Sequence, residues 1–316
     1  LMLDQFGRNI TYLRLSVTER CQLRCTYCRV EEGICPKAKE LSPAEYERIV
    51  RACMQLGIQK VRLTGGEPLL RKDILEIVER IARLEGLQDL SMTTNAQMLP
   101  GKAQLLKQAG LRRLNISLDS LKPEIFHELT GGDIQPVLQG MEEAVESGLL
   151  PLKLNIVLVR GINDAEIDDF IALTREHPID VRFIELMPIG DHGENADRRI
   201  SNQDVLAARP YLQPVQARYP GQPSVDYQVP GYRGRVGFIS PISHQFCADC
   251  NRIRVMSDGT LRPCLGVDRE IPLTSALAQD DEALREAIHA AIFRKPAAHR
   301  FESCTFAERN MSRIGG

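Results

Sequence analysis

No stretch of this chain approaches the ~18 to 20 consecutive apolar residues of a membrane-spanning helix, and the first residues lack the basic-then-apolar pattern of an export signal. The expectation is a cytoplasmic protein with no membrane contact. Positive charge is not in excess either. Forty Lys and Arg stand against 42 Asp and Glu, a net of −2, so no global basic field points to a nucleic-acid partner. Tryptophan is absent, and there is no low-complexity segment or short internal repeat. What the chain has is 316 residues, enough for one large domain or two modest ones, and nine cysteines. An odd number of cysteines without an export signal argues for metal or catalytic thiols rather than a disulfide framework.

Three of those cysteines fall at Cys21-x3-Cys25-x2-Cys28, just after the alternating run from Tyr12 to Val17. Three thiolates can hold three irons of a 4Fe-4S cube and leave the fourth iron open to a ligand that is not protein. Structural zinc normally takes four ligands, and Cys35, seven residues on, is the nearest further candidate. Spacing alone leaves both readings standing.

The first part of the chain alternates short apolar runs with longer amphipathic ones. Strands are predicted at Tyr12 to Val17, Lys60 to Thr64, Asp89 to Thr93, Arg113 to Leu118, Leu152 to Val159 and Val181 to Leu186. Helices are predicted between them at Pro43 to Leu56, Asp73 to Leu84, Lys102 to Ala109, Val137 to Ser147 and Asp164 to Thr174. That alternation implies an α/β fold with a parallel sheet and crossover helices. Six units are too few for a closed eight-fold barrel, so an incomplete six-fold TIM-like barrel is expected.

Parallel strands covered on both faces should read as nearly continuous apolar runs. Several here do not. Leu13, Leu15 and Val17 share one face of the first strand, while Tyr12, Arg14 and Ser16 share the other; Arg62 interrupts the second strand, and Lys153 and Asn155 the fifth. If the apolar set packs on the helices, Arg14, Arg62 and Lys153 point inward. Buried cations need compensation, either from an anionic ligand or from internal partners such as Glu67 or Glu185. Polar clusters close successive strands: Thr64-Gly65-Gly66-Glu67-Pro68, Thr93-Thr94-Asn95, Ser117-Leu118-Asp119-Ser120 and Glu185-Leu186-Met187-Pro188. Carboxyl ends of parallel strands are where such barrels bind ligands. The Gly-Gly pair allows a close backbone approach, or is simply a tight turn.

Residues 188 to 241 hold seven of the 18 prolines and show no sustained period, which places a boundary near Pro188, between residues 1–187 and 188–316. A second trio follows at Cys247-x2-Cys250-x13-Cys264, for which His244 or Cys304 would be the fourth zinc ligand. Zinc and iron-sulfur remain equally open on spacing. Arg252 and Arg254, just after the second thiol, share one face of an extended segment. Guanidinium geometry there suits a phosphorylated substrate, or balances thiolate charge. The chain ends in Gly315-Gly316.

The first trio, with Tyr27 directly before its last cysteine, resembles the signature of the radical S-adenosylmethionine (SAM) enzymes, in which the open iron chelates SAM. Gly65-Gly66-Glu67-Pro68 resembles that superfamily's motif contacting the SAM amino group. The lead-in from Leu13 to Thr18, the segment Phe246-Cys247-x2-Cys250-Asn251-Arg252-x-Arg254, the late Cys264 and the terminal diglycine are together similar to the GTP 3',8-cyclase family, which opens molybdenum cofactor (molybdopterin) biosynthesis. The likeness runs from Asp4 to Gly316.

Several expectations follow from the resemblance. It implies a partial barrel whose open side is closed by a C-terminal extension carrying a second 4Fe-4S cluster, in a homodimer. Cys21, Cys25 and Cys28 would hold the first cluster, and Cys247, Cys250 and Cys264 the second. Tyr27, Gly66, Ser117, Asn155 and Met187 would contact SAM; Arg14, Arg62, Thr93, Lys153, Arg252, Ile253 and Arg254 would contact GTP. Arg14, Arg252, Arg254, Gly315 and Gly316 would serve catalysis. SAM would be cleaved to a 5'-deoxyadenosyl radical that removes H3' of GTP, and attack on C8 would give (8S)-3',8-cyclo-7,8-dihydroguanosine 5'-triphosphate. An external electron donor of flavodoxin or ferredoxin type is implied, as is hand-off of product to cyclic pyranopterin monophosphate synthase. Gln22, Arg29 and Ala96 depart from the family's usual Asn, Met and Gly, and Cys35, Cys53 and Cys304 match no ligand position. The rival readings are another radical SAM enzyme with an auxiliary cluster, acting on a peptide or small molecule, and a non-catalytic zinc or electron-transfer protein.

Overall fold

The computed structural model describes residues 2–28, 39–187, 196–267 and 269–299. All six predicted strands are present: β1 Tyr12–Ser16, β2 Lys60–Thr64, β3 Asp89–Thr94, β4 Arg113–Ser117, β5 Leu152–Leu158 and β6 Ile179–Glu185. They alternate with α1 Pro43–Gln55, α2 Ile74–Ala82, α3 Ala103–Gln108, α4 Pro123–Thr130, α5 Ile134–Glu146 and α6 Ile167–Ala172. Helix α4 is absent from the prediction, although its signals are local: Pro123 opens it and Gly131, at φ 71°, ends it. Helix α1 begins with a reciprocal cap between Ser42 and Glu45, as the Ser-Pro-x-Glu sequence dictates.

Strands β1 to β6 are parallel and adjacent in chain order. The remainder is α7 Asn202–Ala207, β7 Gln213–Pro214, β8 Val225–Gln228, β9 Val236–Ile239, β10 Arg252–Val255, β11 Thr260–Arg262, β12 Ile271–Pro272, α8 Thr274–Leu277 and α9 Asp281–Phe293. It does not form a separate sheet. Strand β9 joins β6 and β10 joins β1, both in parallel, and each then carries two antiparallel strands outward. One twelve-stranded sheet results among the described residues, ordered β12-β11-β10-β1-β2-β3-β4-β5-β6-β9-β8-β7. Its two edges do not pair, so the barrel stays open.

The face alternation read from sequence sets the layers. Leu13, Leu15, Val61, Leu63, Leu114, Ile116, Leu154 and Val181 turn outward and bury against Ile49, Val50 and Cys53 of α1, Ile77 and Val78 of α2, Val137 of α5 and Phe170 of α6. Each such aliphatic side chain contributes about 1.5–3 kcal/mol on leaving water. Cys53 is thus a core packing residue, whereas Cys35 and Cys304 lie outside the described residues.

Candidate active site

The inward faces of the strands enclose a cavity of about 360 Å³. Its two ends follow from topology. The first cysteine trio comes after β1 and so sits beyond the carboxyl ends of the parallel strands. The second trio lies at the other end: Cys250 stands two residues before β10, which runs parallel to β1, and Cys264 follows β11, which runs back antiparallel. Both trios line the one cavity.

At the carboxyl end Cys28 N donates to Cys25 O at 3.0 Å, turning the loop on itself. Burial pushes the Cys25 thiol well up, and the negative neighbours Asp119, Cys28 and Cys21 add to it. A thiol raised by burial and by its negative neighbours needs positive charge to ionise, which an iron centre would supply. Asn95 Nδ2 lies 3.6 Å from Cys21 Sγ. The Gly-Gly pair is fixed by contact rather than by turn geometry alone, because a Cβ on Gly66 would stand 2.3 Å from Arg20 O. Glu67 is fully buried and ties the ends of β2 and β3 together, accepting from Leu69 N, Thr94 Oγ1 and Asn95 N at 2.7–2.9 Å. Asp119 accepts from Tyr27 O–H at 2.5 Å and Val157 N at 2.8 Å, and burial raises its carboxyl to about 6.

At the amino end Cys250 N donates to Cys247 O at 3.2 Å. Burial alone would raise the Cys250 thiol, but Arg252, whose Nη2 lies 3.7 Å from Sγ, and Lys295 bring it down to about 6. Arg8 reaches across from the amino terminus to donate to Cys247 O at 2.8 Å, and Lys295 Nζ donates to Pro263 O at 2.7 Å. Among the described residues no three His, Cys, Asp or Glu side chains converge closely enough to hold a single ion. A cube takes one thiolate per iron corner, so its ligands stand apart rather than meeting at a point. His244, the nearby candidate for a zinc ligand, is exposed and does not line the cavity.

Between the two ends the wall is cationic. Arg14, Arg62, Lys153, Arg252 and Arg254 line it as the alternation predicted, and five cations the sequence reading missed join them: Lys60, Arg113, Arg182, Arg235 and Lys295. With its amide turned as the surrounding donors require, Asn115 accepts from both Nη atoms of Arg62 at 2.7 and 3.1 Å and from Arg182 Nη2 at 3.0 Å. The expected carboxylate partners are not there. Glu67 is engaged at the strand ends, and Glu185 accepts from Asn202 N and Ser243 N at 3.2 and 3.1 Å. The acids at this end are instead Asp89, paired with Arg113, and Asp180, paired with Arg218. Burial first, then Arg182 and Arg113, lower Lys153 to about 6, and burial with Arg62 lowers Arg182 to about 9. Burial and then Arg254 hold Arg14 well below the usual range.

Every other predicted site residue that is described also lines this cavity: Tyr27, Gly66, Ser117, Asn155 and Met187, together with Thr93. Ile253 is the exception. The same alternation that turns Arg252 and Arg254 inward buries its side chain in the outer apolar core, so only its backbone is available to a ligand. Gly315, Gly316 and Arg29 lie outside the described residues. Among those described, Tyr12 O–H, Thr64 Oγ1, Thr93 Oγ1, Asn155 Oδ1 and Arg182 Nε are buried without a hydrogen-bond partner. Unsatisfied buried groups cost about 1–3 kcal/mol each, and a polar ligand is the natural compensation for atoms lining one cavity.

The chain matches the Radical SAM superfamily model over residues 15–174 and the Molybdenum Cofactor Synthesis C model over residues 179–301. Over their full lengths it is 47% identical to the GTP 3',8-cyclase of Alkaliphilus oremlandii and 45% identical to that of Alkaliphilus metalliredigens. It belongs to the GTP 3',8-cyclase family. Among solved structures, SuiB of Streptococcus suis bound to S-adenosylmethionine matches with a TM-score of 0.60 at 17% identity, over 92% of this chain and 65% of that one. That likeness shows the fold, an α/β partial barrel. As a radical SAM member of the GTP 3',8-cyclase family the chain uses an iron-sulfur cluster and SAM. The first trio fits that cluster: three thiols gathered at the carboxyl ends of parallel strands, beside unsatisfied polar atoms. No helix of the described residues is long and apolar enough to cross a membrane.

Proposed function

We propose that this chain converts GTP to (8S)-3',8-cyclo-7,8-dihydroguanosine 5'-triphosphate, the first step of molybdenum cofactor biosynthesis. One observation carries the reading: a single cation-walled cavity joins a cysteine trio at each end of the barrel. Cys21, Cys25 and Cys28 would hold the SAM cluster, and Cys247, Cys250 and Cys264 would hold a second 4Fe-4S cluster on the purine side of the cavity. The first cluster and SAM supply, when bound, a radical that removes hydrogen from C3' of the ribose.

The protein's own part is positional. Tyr27, Gly66, Ser117, Asn155 and Met187 stand at or near the carboxyl ends where SAM would lie. Arg62 and Lys153 belong to a basic wall that fixes the nucleotide's anionic end, Arg252 and Arg254 stand on the guanine side beside the second trio, and Thr93 lines the same cavity. Guanidinium groups hold phosphate oxygens in two-point geometry, so the ribose is set at a defined height between the two trios. Closure of the wall excludes water that would quench a radical. Arg14 and Arg254, paired in register across β1 and β10, are placed to stabilise charge that shifts on the guanine. The terminal Gly315-Gly316 serve catalysis, as the family resemblance implies. An external flavodoxin or ferredoxin supplies electrons, the enzyme works as a cytoplasmic homodimer, and its product passes to cyclic pyranopterin monophosphate synthase.

Iron-reconstituted protein, incubated without oxygen with SAM, reductant and GTP deuterated at C3', should transfer deuterium to 5'-deoxyadenosine and yield an isomer of GTP. SAM cleavage with no deuterium in the deoxyadenosine would rule out GTP as hydrogen donor.

A further inference from the structure

The segment between β7 and β8, residues 215–224, belongs to no regular element, yet it is pinned at several points. Arg218 pairs with Asp180 at the start of β6 at 3.0 Å, and Arg235 Nη1 donates to Gln216 O at 2.8 Å. Gln222 accepts from Tyr219 N at 3.3 Å and donates to Ser224 O at 2.8 Å and Asp226 Oδ2 at 3.0 Å. Beyond these, Gly221, at φ 68°, packs so closely on the residue before β10 that a Cβ would stand 2.9 Å from Asn251 Nδ2. The segment therefore runs from the β6 and β9 side of the sheet to the foot of β10. It straps the amino-terminal mouth of a barrel whose strands do not close it.

Tyr219 is carried at the middle of that strap. Its ring centroid lies 4.2 Å from Lys60 Nζ, 5.0 Å from the Arg113 guanidinium carbon and 5.4 Å from Lys153 Nζ. The three cations come from the beginnings of β2, β4 and β5, and all four groups line the cavity. With Arg62 and Arg182 they make five basic groups lining this stretch of the cavity, and the neighbouring carboxylates are already engaged, Asp89 with Arg113, Asp180 with Arg218 and Asp226 with Arg235. Like charges gathered in this way repel, and without a holder they would splay apart. The negative face of an aromatic ring attracts Lys60 and Arg113 without neutralising them, so it orders them while leaving their charge for a ligand, and it seats the Lys153 amine, which gains its charge when the ligand binds.

We propose that Tyr219 is a positioning residue for the polyphosphate end of the nucleotide, its ring face holding Lys60, Arg113 and Lys153 together as a preformed anion receptor. The inference rests on the reading of GTP as substrate. It makes Tyr219 count in proportion to the number of phosphates, because a receptor set for several anionic oxygens gains little from a ligand that lacks them.

The test is equilibrium binding of GTP, GDP, GMP and guanosine to anaerobically reconstituted wild-type, Tyr219→Phe and Tyr219→Leu proteins, with SAM affinity measured alongside. Tyr219→Leu should weaken GTP by about tenfold or more and guanosine by less than about twofold, with GDP and GMP between. Tyr219→Phe, which keeps the ring, should stay within about twofold of wild type for all four. An equal loss for all four ligands, or a fall in SAM affinity as well, would mean that the substitution merely loosens the strap and would overturn the inference. So would a Phe variant as weak as the Leu variant. If wild-type protein itself fails to bind GTP, the substrate reading fails instead, and the two failures are distinct.

Discussion

Lys153 makes the sharpest quantitative prediction. Burial, Arg182 and Arg113 lower it to about 6, so in the empty site at pH 8 only about 1% of molecules carry that charge. A bound polyphosphate reverses the balance and returns the amine toward its ordinary range near ~10.4. Binding at pH 8 should therefore take up close to one proton per nucleotide. Charging the lysine there costs about 2.7 kcal/mol, two pH units at about 1.36 kcal/mol each, and that sum is withdrawn from the binding energy. The sign follows: affinity falls as pH rises, by about tenfold per unit between pH ~7 and ~8.5. Phosphate monoesters ionise near ~6, so the ligand's own titration lies below that window. Arg182, at about 9, remains charged through most of it. Calorimetric titration of GTP at pH 8 in buffers of differing ionisation enthalpy reads the proton count directly. Lys153→Met should bind more weakly, with no uptake and a flat pH dependence. Wild-type uptake below about 0.3 proton, or equal uptake in the Met variant, would refute the reasoning.

Two further substitutions test the loops at the carboxyl end. Ala96, buried and at φ 60°, occupies the left-handed region where a side chain costs about 1–2 kcal/mol, partly offset by about 0.4–1 kcal/mol of unfolded-state entropy. Ala96→Gly should thus be neutral to about 1 kcal/mol more stable in urea unfolding; a loss of 1 kcal/mol or more would show that the methyl's packing outweighs the strain. Gly66→Ala drives a methyl against Arg20 O, a backbone atom that cannot swing aside, and should displace the loop leading to Cys21. Iron content after reconstitution is the readout, expected to fall well below wild type with the far-UV spectrum intact; unchanged iron content would mean that the loop yields freely.

The register of this fold explains why so much of the site was legible. A strand's alternation is a local property, so Leu13, Arg14 and Leu15 announce which way Arg14 points without knowledge of any neighbour. The same local rule displaced Ile253 from the ligand wall. Cys53, which matches no ligand position, packs in the outer core. What alternation could not supply is partners. Asp89 and Asp180, rather than Glu67 and Glu185, answer the inward cations because pairing depends on which strands lie side by side and on how far up each the charge stands. Lys60 and Arg113 escaped notice for a simpler reason: each begins its strand, where a charged residue reads as a solvated end, whereas Arg182, in the middle of β6, obeys the same alternation that turns Arg62 inward.

The sequence by itself determined the six strand and helix units, the direction of their inward side chains, the two cysteine trios and the family. These are set by periodicity and spacing over a few residues. Only the tertiary structure decided that β9 and β10 would extend the same sheet from opposite edges, that the second trio would therefore face the first along one cavity, and that an irregular, proline-rich strap would bring Tyr219 against three cations. Parallel pairing between segments some 240 residues apart, as for Tyr12 and Arg252, leaves no trace in either segment's own pattern. It is fixed by the closing of the whole sheet.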